Sequence, residues 1–211
     1  HSVKYLTIDD LRLWKQKKGV KKEPSLKEKT NIFIHNLTKN NAQEVLSKTD
    51  TLVVIVGVHV PGKYLSAQPG TLKEVKSLLK NIRCKKILTG PAVCGTQLEG
   101  GKFAEKESLE MFEVKDYTFD FSELNQYALA GVEVIKQIPD KRVIEIETGR
   151  GCKVGRCSFC TEPLKNRFVN RKKEEVVEEV IEYYKSGVKF FRLGKQADFY
   201  ASDDPIWVLK E

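Results

Sequence analysis

The run TLVVIVGV at 51–58 is almost unbroken in apolar and β-branched residues. Such a run predicts a parallel strand buried on both faces. TLKEVKSLLKNI at 71–82 then sets Leu72, Val75, Leu78, Leu79 and Ile82 on one helical face, with Thr71 and Glu74 spaced as a capping box. KKILTG at 85–90 predicts the next strand. Strand, helix and strand of these lengths predict a βαβ unit. Nearer the start, VKYLTI (3–8) predicts a short strand, and Thr7 with Asp10 predicts the capped start of a helix. Residues 95–121 show no period and predict irregular chain. SELNQYALAGVEVIKQIPD (122–140) predicts a helix at its start, with Gly131 leaving its second half ambiguous.

Pro139-Asp140 punctuates the chain, and a domain boundary is expected there. The same order then returns. RVIEIET (142–148) predicts a strand. RKKEEVVEEVIEYYKSG predicts a helix with Val176, Val177, Val180, Ile181 and Tyr184 on its buried face and Gly187 as C-terminal cap. VKFFRLG (188–194) predicts a further strand, parallel to the first. The fold class is therefore α/β: a Rossmann-like parallel-sheet domain over 1–138, then a second strand–helix–strand region over 139–211.

Composition adds little to this but charge adds something. The 40 % apolar and 31 % charged residues are those of a globular chain. No apolar run reaches the eighteen or so residues that span a bilayer, and HSVKYLTIDD lacks the order of a signal peptide. The expectation is a cytoplasmic protein with no membrane partner, in a reducing compartment where clustered cysteines bind metal or do chemistry. The net charge is +8, and residues 11–30 hold eight Lys or Arg against two Glu. A second basic run, KNRFVNRKK, spans 165–173. Basic surfaces attract polyanions, so RNA is a candidate partner, against the plainer reading of a solvated lysine-rich surface.

The chemistry is concentrated in GRGCKVGRCSFCTEP at 149–163. Three of the five cysteines, Cys152, Cys157 and Cys160, fall within nine positions, separated by four residues and then two. They lie on the loop between a predicted strand and a predicted helix, where parallel α/β folds collect function. Thiolates select zinc, copper(I) or iron–sulfur clusters. A structural zinc takes four ligands, and Cys84, Cys94, His35 and His59 all lie in the first region. Three thiolates with no local fourth ligand suit a 4Fe-4S cluster with one open iron. Gly149, Gly151 and Gly155 allow the wrap, and Arg150 and Arg156 favour deprotonated thiols. Two readings stay open beside this one: a zinc knuckle with a distant fourth ligand, and three reduced structural cysteines.

The triplet, with Phe159 just before its last cysteine, resembles the cluster motif of the radical S-adenosylmethionine enzymes, whose first gap is usually three rather than four. VGVHVPGKYL, ILTGPAV, EIETGRGC, CSFCTEP and FFRLGKQADFY, in that order, resemble an archaeal branch of that superfamily described with a C-terminal helix-hairpin-helix element. The resemblance implies that Cys152, Cys157 and Cys160 each bind one iron, that S-adenosylmethionine takes the fourth, and that Phe159 lies near the adenine. It implies that Gly194, Lys195 and Gln196 stand where the glycine-rich segment meets the methionine amino group, although the usual acidic residue is missing. It further implies a 5′-deoxyadenosyl radical made by reductive cleavage, an electron donor protein as partner, and residues 139–211 as the first βα units of a partial TIM-type barrel. Only 51 residues follow Cys160, so the rest of such a barrel is expected elsewhere. The first region resembles a cobalamin-binding domain, but the cobalamin pattern fails: His59 and Gly62 have the spacing, while position 57 is Gly instead of Asp. The alternative function is a non-enzymatic, zinc-stabilised nucleic-acid-binding module.

Overall fold

The computed structural model describes residues 2–17, 23–24, 33–57, 70–94, 98–99, 102–103, 107–117, 120–160, 167–194 and 196–211. His59, Gly62, Lys195 and most of the lysine-rich stretch at 11–30 lie outside them. The chain divides into two compact units, 1–118 and 119–211. The division falls before Pro139-Asp140, because the helix at 124–135 packs on the helix at 173–185 and belongs to the second unit.

The first unit opens with α1 (Ile8–Lys15). The strand expected at 3–8 does not form; residues 2–7 run into the helix cap. The cap is reciprocal, with Thr7 accepting from the Asp10 N–H and Asp10 accepting from the Thr7 N–H at 2.8 Å. Asp10 is fully buried, and its second oxygen accepts from Asn36 Nδ2 and the Leu37 N–H, both at 3.1 Å. It therefore ties the helix start to a loop near residue 37. Beside it Arg12, buried, is held between the buried Asp9 (2.7 Å) and the half-buried Glu74 (2.7 Å).

Short strands β1 (Glu23–Pro24) and β2 (Phe33–Ile34) pair antiparallel, and α2 (Ala42–Lys48) follows with Asn41 as N-cap. β3 (Thr51–Ile55), α3 (Leu72–Leu79) and β4 (Lys85–Thr89) form the expected strand–helix–strand, and β3 and β4 pair in parallel from Thr51↔Lys85 to Ile55↔Thr89. Thr71 caps α3 as expected. Leu72, Val75 and Leu79 of α3 pack with Val56, Leu88, Ala92 and Phe112 into the core. Two-residue strands β5 (Leu98–Glu99) and β6 (Lys102–Phe103) pair antiparallel. β7 (Glu113–Val114) then joins β4 in parallel, giving the order β3-β4-β7. The sequence pattern does not show β7, since two residues are too short to carry a period.

β3 corrects one expectation. It is not buried on both faces: Val53 is 49 % exposed and Ile55 66 %. β3 is an edge strand among the described residues, and only its Leu52 and Val54 face meets the core.

In the second unit, α4 (Leu124–Ile135) continues through Gly131. β8 (Ile144–Glu147) pairs in parallel with β11 (Phe191–Gly194), from Ile144↔Phe191 to Glu147↔Gly194. Between them lie β9 (Gly149–Arg150), β10 (Val169–Asn170) and α5 (Lys173–Lys185). Gly187, at φ +90°, closes α5 through its N–H to the Tyr184 carbonyl (2.8 Å), as expected. The face of α5 departs from expectation. Val176 and Glu179 are buried, whereas Ile181 and Tyr184 are exposed. Arg171 draws Glu179 inward, which the apolar pattern could not show. A 3-10 turn (Phe199–Ala201) and α6 (Pro205–Val208) end the chain. The molecule is mixed α/β with a parallel sheet of three strands and a second parallel pair; no barrel closes among the described residues. No helix among them is long and apolar enough to cross a membrane.

Candidate functional site

β8 ends at Glu147, and Thr148, almost wholly buried, leads straight into β9. β9 and β10 pair antiparallel, with Arg150↔Val169 and Gly149↔Asn170. This ladder closes a hairpin whose long loop carries all three clustered cysteines. Gly151, at φ +75°, makes the closure possible. A β-carbon there would lie 2.5 Å from the Arg167 carbonyl oxygen, so no other residue allows the two arms to touch. Gly155 is also left-handed, at φ +63°, and turns the loop back toward Cys152. The Cys160 N–H donates to the Cys157 carbonyl at 3.1 Å, so the last two cysteines sit on one turn.

Cys152, Cys157 and Cys160 are free thiols; Cys157 is exposed and the other two half-buried. All three lie beyond the C-terminal end of β8, where the strand order placed them. Their side chains do not form a coordination group: among the described residues no three His, Cys, Asp or Glu side chains gather closely enough to hold a metal. Phe159, between the last two, is 88 % exposed. Cys84 belongs to the first unit.

Arg150 has partners that the sequence pattern does not show. Its Nε donates to Glu147 Oε1 at 2.6 Å, and its guanidinium carbon lies 4.9 Å from the Phe121 ring centre. These contacts brace the loop's base. Arg156 is exposed on the loop.

The far side of the strand end is built by Arg171, which the sequence pattern shows only as part of a basic run. Arg171 is buried, and Nη1 donates to Glu179 and to the Glu147 carbonyl (3.0 Å). Nη2 donates to Asn125 Oδ1 (2.9 Å) and the Glu175 carbonyl (3.2 Å). One side chain thus joins α4, the end of β8 and α5. Burial pushes the Glu179 carboxyl above the ordinary carboxylate range; Arg171 opposes this, and Glu147 adds a further upward push. A cleft of about 270 Å³ opens here, lined by Leu124, Tyr127, Ala128, Glu145, Glu147, Arg171 and Glu179. An Arg immediately before a helix and a Glu eight residues on is the only sequence signal for this network.

Gly194 ends β11 and is buried; its missing side chain leaves room for Glu145, whose Oε1 would be 2.4 Å from a β-carbon. Gln196 has a buried Oε1 with no hydrogen-bond partner among the described residues. Lys195, between them, is outside the described residues.

No family model matches the chain, and no solved structure matches it. It is similar to an uncharacterized protein of Methanocaldococcus jannaschii, 33 % identical over 206 residues, covering 80 % of this chain and 38 % of that protein. It is also similar to an uncharacterized protein of Archaeoglobus fulgidus, 38 % identical over 170 residues, covering 75 % of this chain and 31 % of the relative. The chain thus spans about a third of the length of the curated relatives it matches.

Proposed function

We propose that this chain is part of a radical S-adenosylmethionine enzyme in which Cys152, Cys157 and Cys160 hold a 4Fe-4S cluster. One observation carries the reading: three free thiols share a single glycine-turned loop at the C-terminal end of a parallel strand. The donor set suits the cluster, being soft, threefold and without a local fourth ligand. The loop must close further to bring the thiols to one point; Gly155 already holds a left-handed turn within it and Cys157 is exposed. When bound, the cluster supplies one electron for reductive cleavage of the sulfonium of S-adenosylmethionine.

The chain's own residues have definable tasks. Phe159 offers an open ring face to the adenine. Gln196 Oε1 is a buried acceptor without a partner among the described residues, suited to an ammonium such as the methionine amino group. Gly194 keeps the end of β11 narrow enough for Glu145 to lie across it. The Arg171–Glu179 pair and the Arg150–Glu147 pair hold the strand end rigid beneath the loop. In this reading the rest of the barrel and the substrate residues lie outside these 211 residues, which span about a third of the length of the relatives. A nucleic acid is the substrate class that the net charge of +8 favours.

Anaerobic reconstitution with iron and sulfide tests the reading. Wild type gains iron, acid-labile sulfide and broad visible absorbance that changes on adding S-adenosylmethionine. Alanine at Cys152, Cys157 or Cys160 impairs assembly, and alanine at Cys84 does not. An equal requirement for Cys84 would replace the open cluster by a four-thiolate site. Colourless protein with one bound zinc would support the nucleic-acid-binding module instead.

A further inference from the structure

The outer surface of the cysteine hairpin has a character that the cluster does not need. Lys153, Arg156 and Arg167 are all exposed, and none is held in an ion pair among the described residues. The sequence contains no Asp or Glu from 149 to 160 or from 167 to 173. The β9–β10 ladder and the close approach of Gly151 to the Arg167 carbonyl bring the two arms that carry these cations together at the base of one hairpin. Phe168 stands next to Arg167 on the closing arm and is 41 % exposed. Val154 is also exposed on the opposite arm.

Exposed cations alone fit any polyanion. An exposed ring among them adds a face on which a base can stack, which an acidic protein surface does not require. We propose that this rim of the hairpin, with Lys153, Arg156 and Arg167 contacting phosphates and Phe168 stacking on a base, docks single-stranded nucleic acid. The rim residues are not the thiols, so docking is tested on the metal-free chain, separately from cluster assembly. Phe159 takes no part in it, since the cluster reading gives that ring another task.

The test is fluorescence anisotropy with metal-free chain and labelled single-stranded RNA or DNA of about 12 nucleotides, within the range one binding module covers. Affinity falls with salt, and K153Q/R156Q/R167Q flattens the slope of log K against log[salt] by about 2, at roughly 0.7 for each phosphate no longer neutralised. Phe168→Ala weakens binding by about fivefold or more and leaves that slope unchanged. Both substitutions fall at exposed positions, and circular dichroism confirms their fold. Wild-type affinity and slope in the triple variant overturn the proposal. So does polyglutamate competing as well as RNA while Phe168→Ala is silent, which would make the rim a surface for an acidic protein.

Discussion

The hydroxyl of Thr148, at the end of β8, lies 2.9 Å from the hydroxyl of Ser202, 54 residues later. Asn170 strengthens the same junction, its Nδ2 donating to the Ala201 carbonyl at 2.7 Å. The segment after β11 is thereby pinned to the base of the cysteine hairpin. Lys173 adds an ion pair to Asp204 and lies 5.0 Å over the Trp207 ring. The loop that carries the thiols therefore stands on a base fastened from both sides in sequence.

Thr148→Val should lower stability by about 1 kcal/mol, the usual net worth of such a hydrogen bond. Thr148 is almost wholly buried and the substitution keeps its shape. Ser202 is only half-buried and can turn to water. Urea denaturation measures the loss, and iron uptake by the loop should survive it.

Arg171→Met should cost far more, about 3–5 kcal/mol, because it leaves the Glu179 carboxylate buried without its partner. Arg171→Met/Glu179→Leu should recover most of the loss. The contrast between the two denaturation curves separates an uncompensated charge from lost packing.

Glu179 also carries a pH signature. Its carboxyl is raised by burial in the folded state, so the native protein holds that proton more tightly than the unfolded chain. The stability this adds is complete below the ordinary glutamate value near 4.5 and is lost as pH rises through the higher folded value. Glu179→Gln should therefore gain stability relative to wild type as pH rises from about 4 toward neutrality. A difference that stays flat across that range would remove burial as the dominant cause.

Gly151→Ala and Gly194→Ala should differ sharply, although both introduce a close approach. At Gly151 the new carbon meets the Arg167 backbone at φ +75°, and neither can yield. A loss of about 1–3 kcal/mol and poor iron assembly are expected. At Gly194 the obstacle is the exposed Glu145 side chain from Cγ to Oε1, with no backbone atom among the nearest three, so it can swing aside as a whole. A loss below about 1 kcal/mol is expected there. Thermal melts and iron content of the two variants check this directly.

Much of the framework is legible from local patterns. Thr7 with Asp10, Thr71 with the Glu74 N–H, and Gly187 after α5 are hydrogen-bonding rules that act within four residues. The parallel pairing of β8 with β11 follows from strand–helix–strand order. The cysteine spacing names a ligand type and a loop. Other features are set by partners tens of residues away. Glu74 reads as half of a capping box, yet its carboxylate is bound by Arg12, 62 residues earlier. Ile181 and Tyr184 have the helical spacing of a buried face, yet only one side of α5 meets α4 and β8, and Arg171 fills part of it with Glu179. Val53 and Ile55 are as apolar as Leu52 and Val54, but a strand at a sheet edge has only the neighbours the fold supplies. The sequence by itself determined the starts of α1 and α3, the C-terminal cap of α5 and which residues offer soft ligands, because those depend on bonds between near neighbours. The tertiary structure alone decided which faces are covered, which charges meet and what fastens the cysteine loop, because burial and ion pairing depend on residues that only folding brings together.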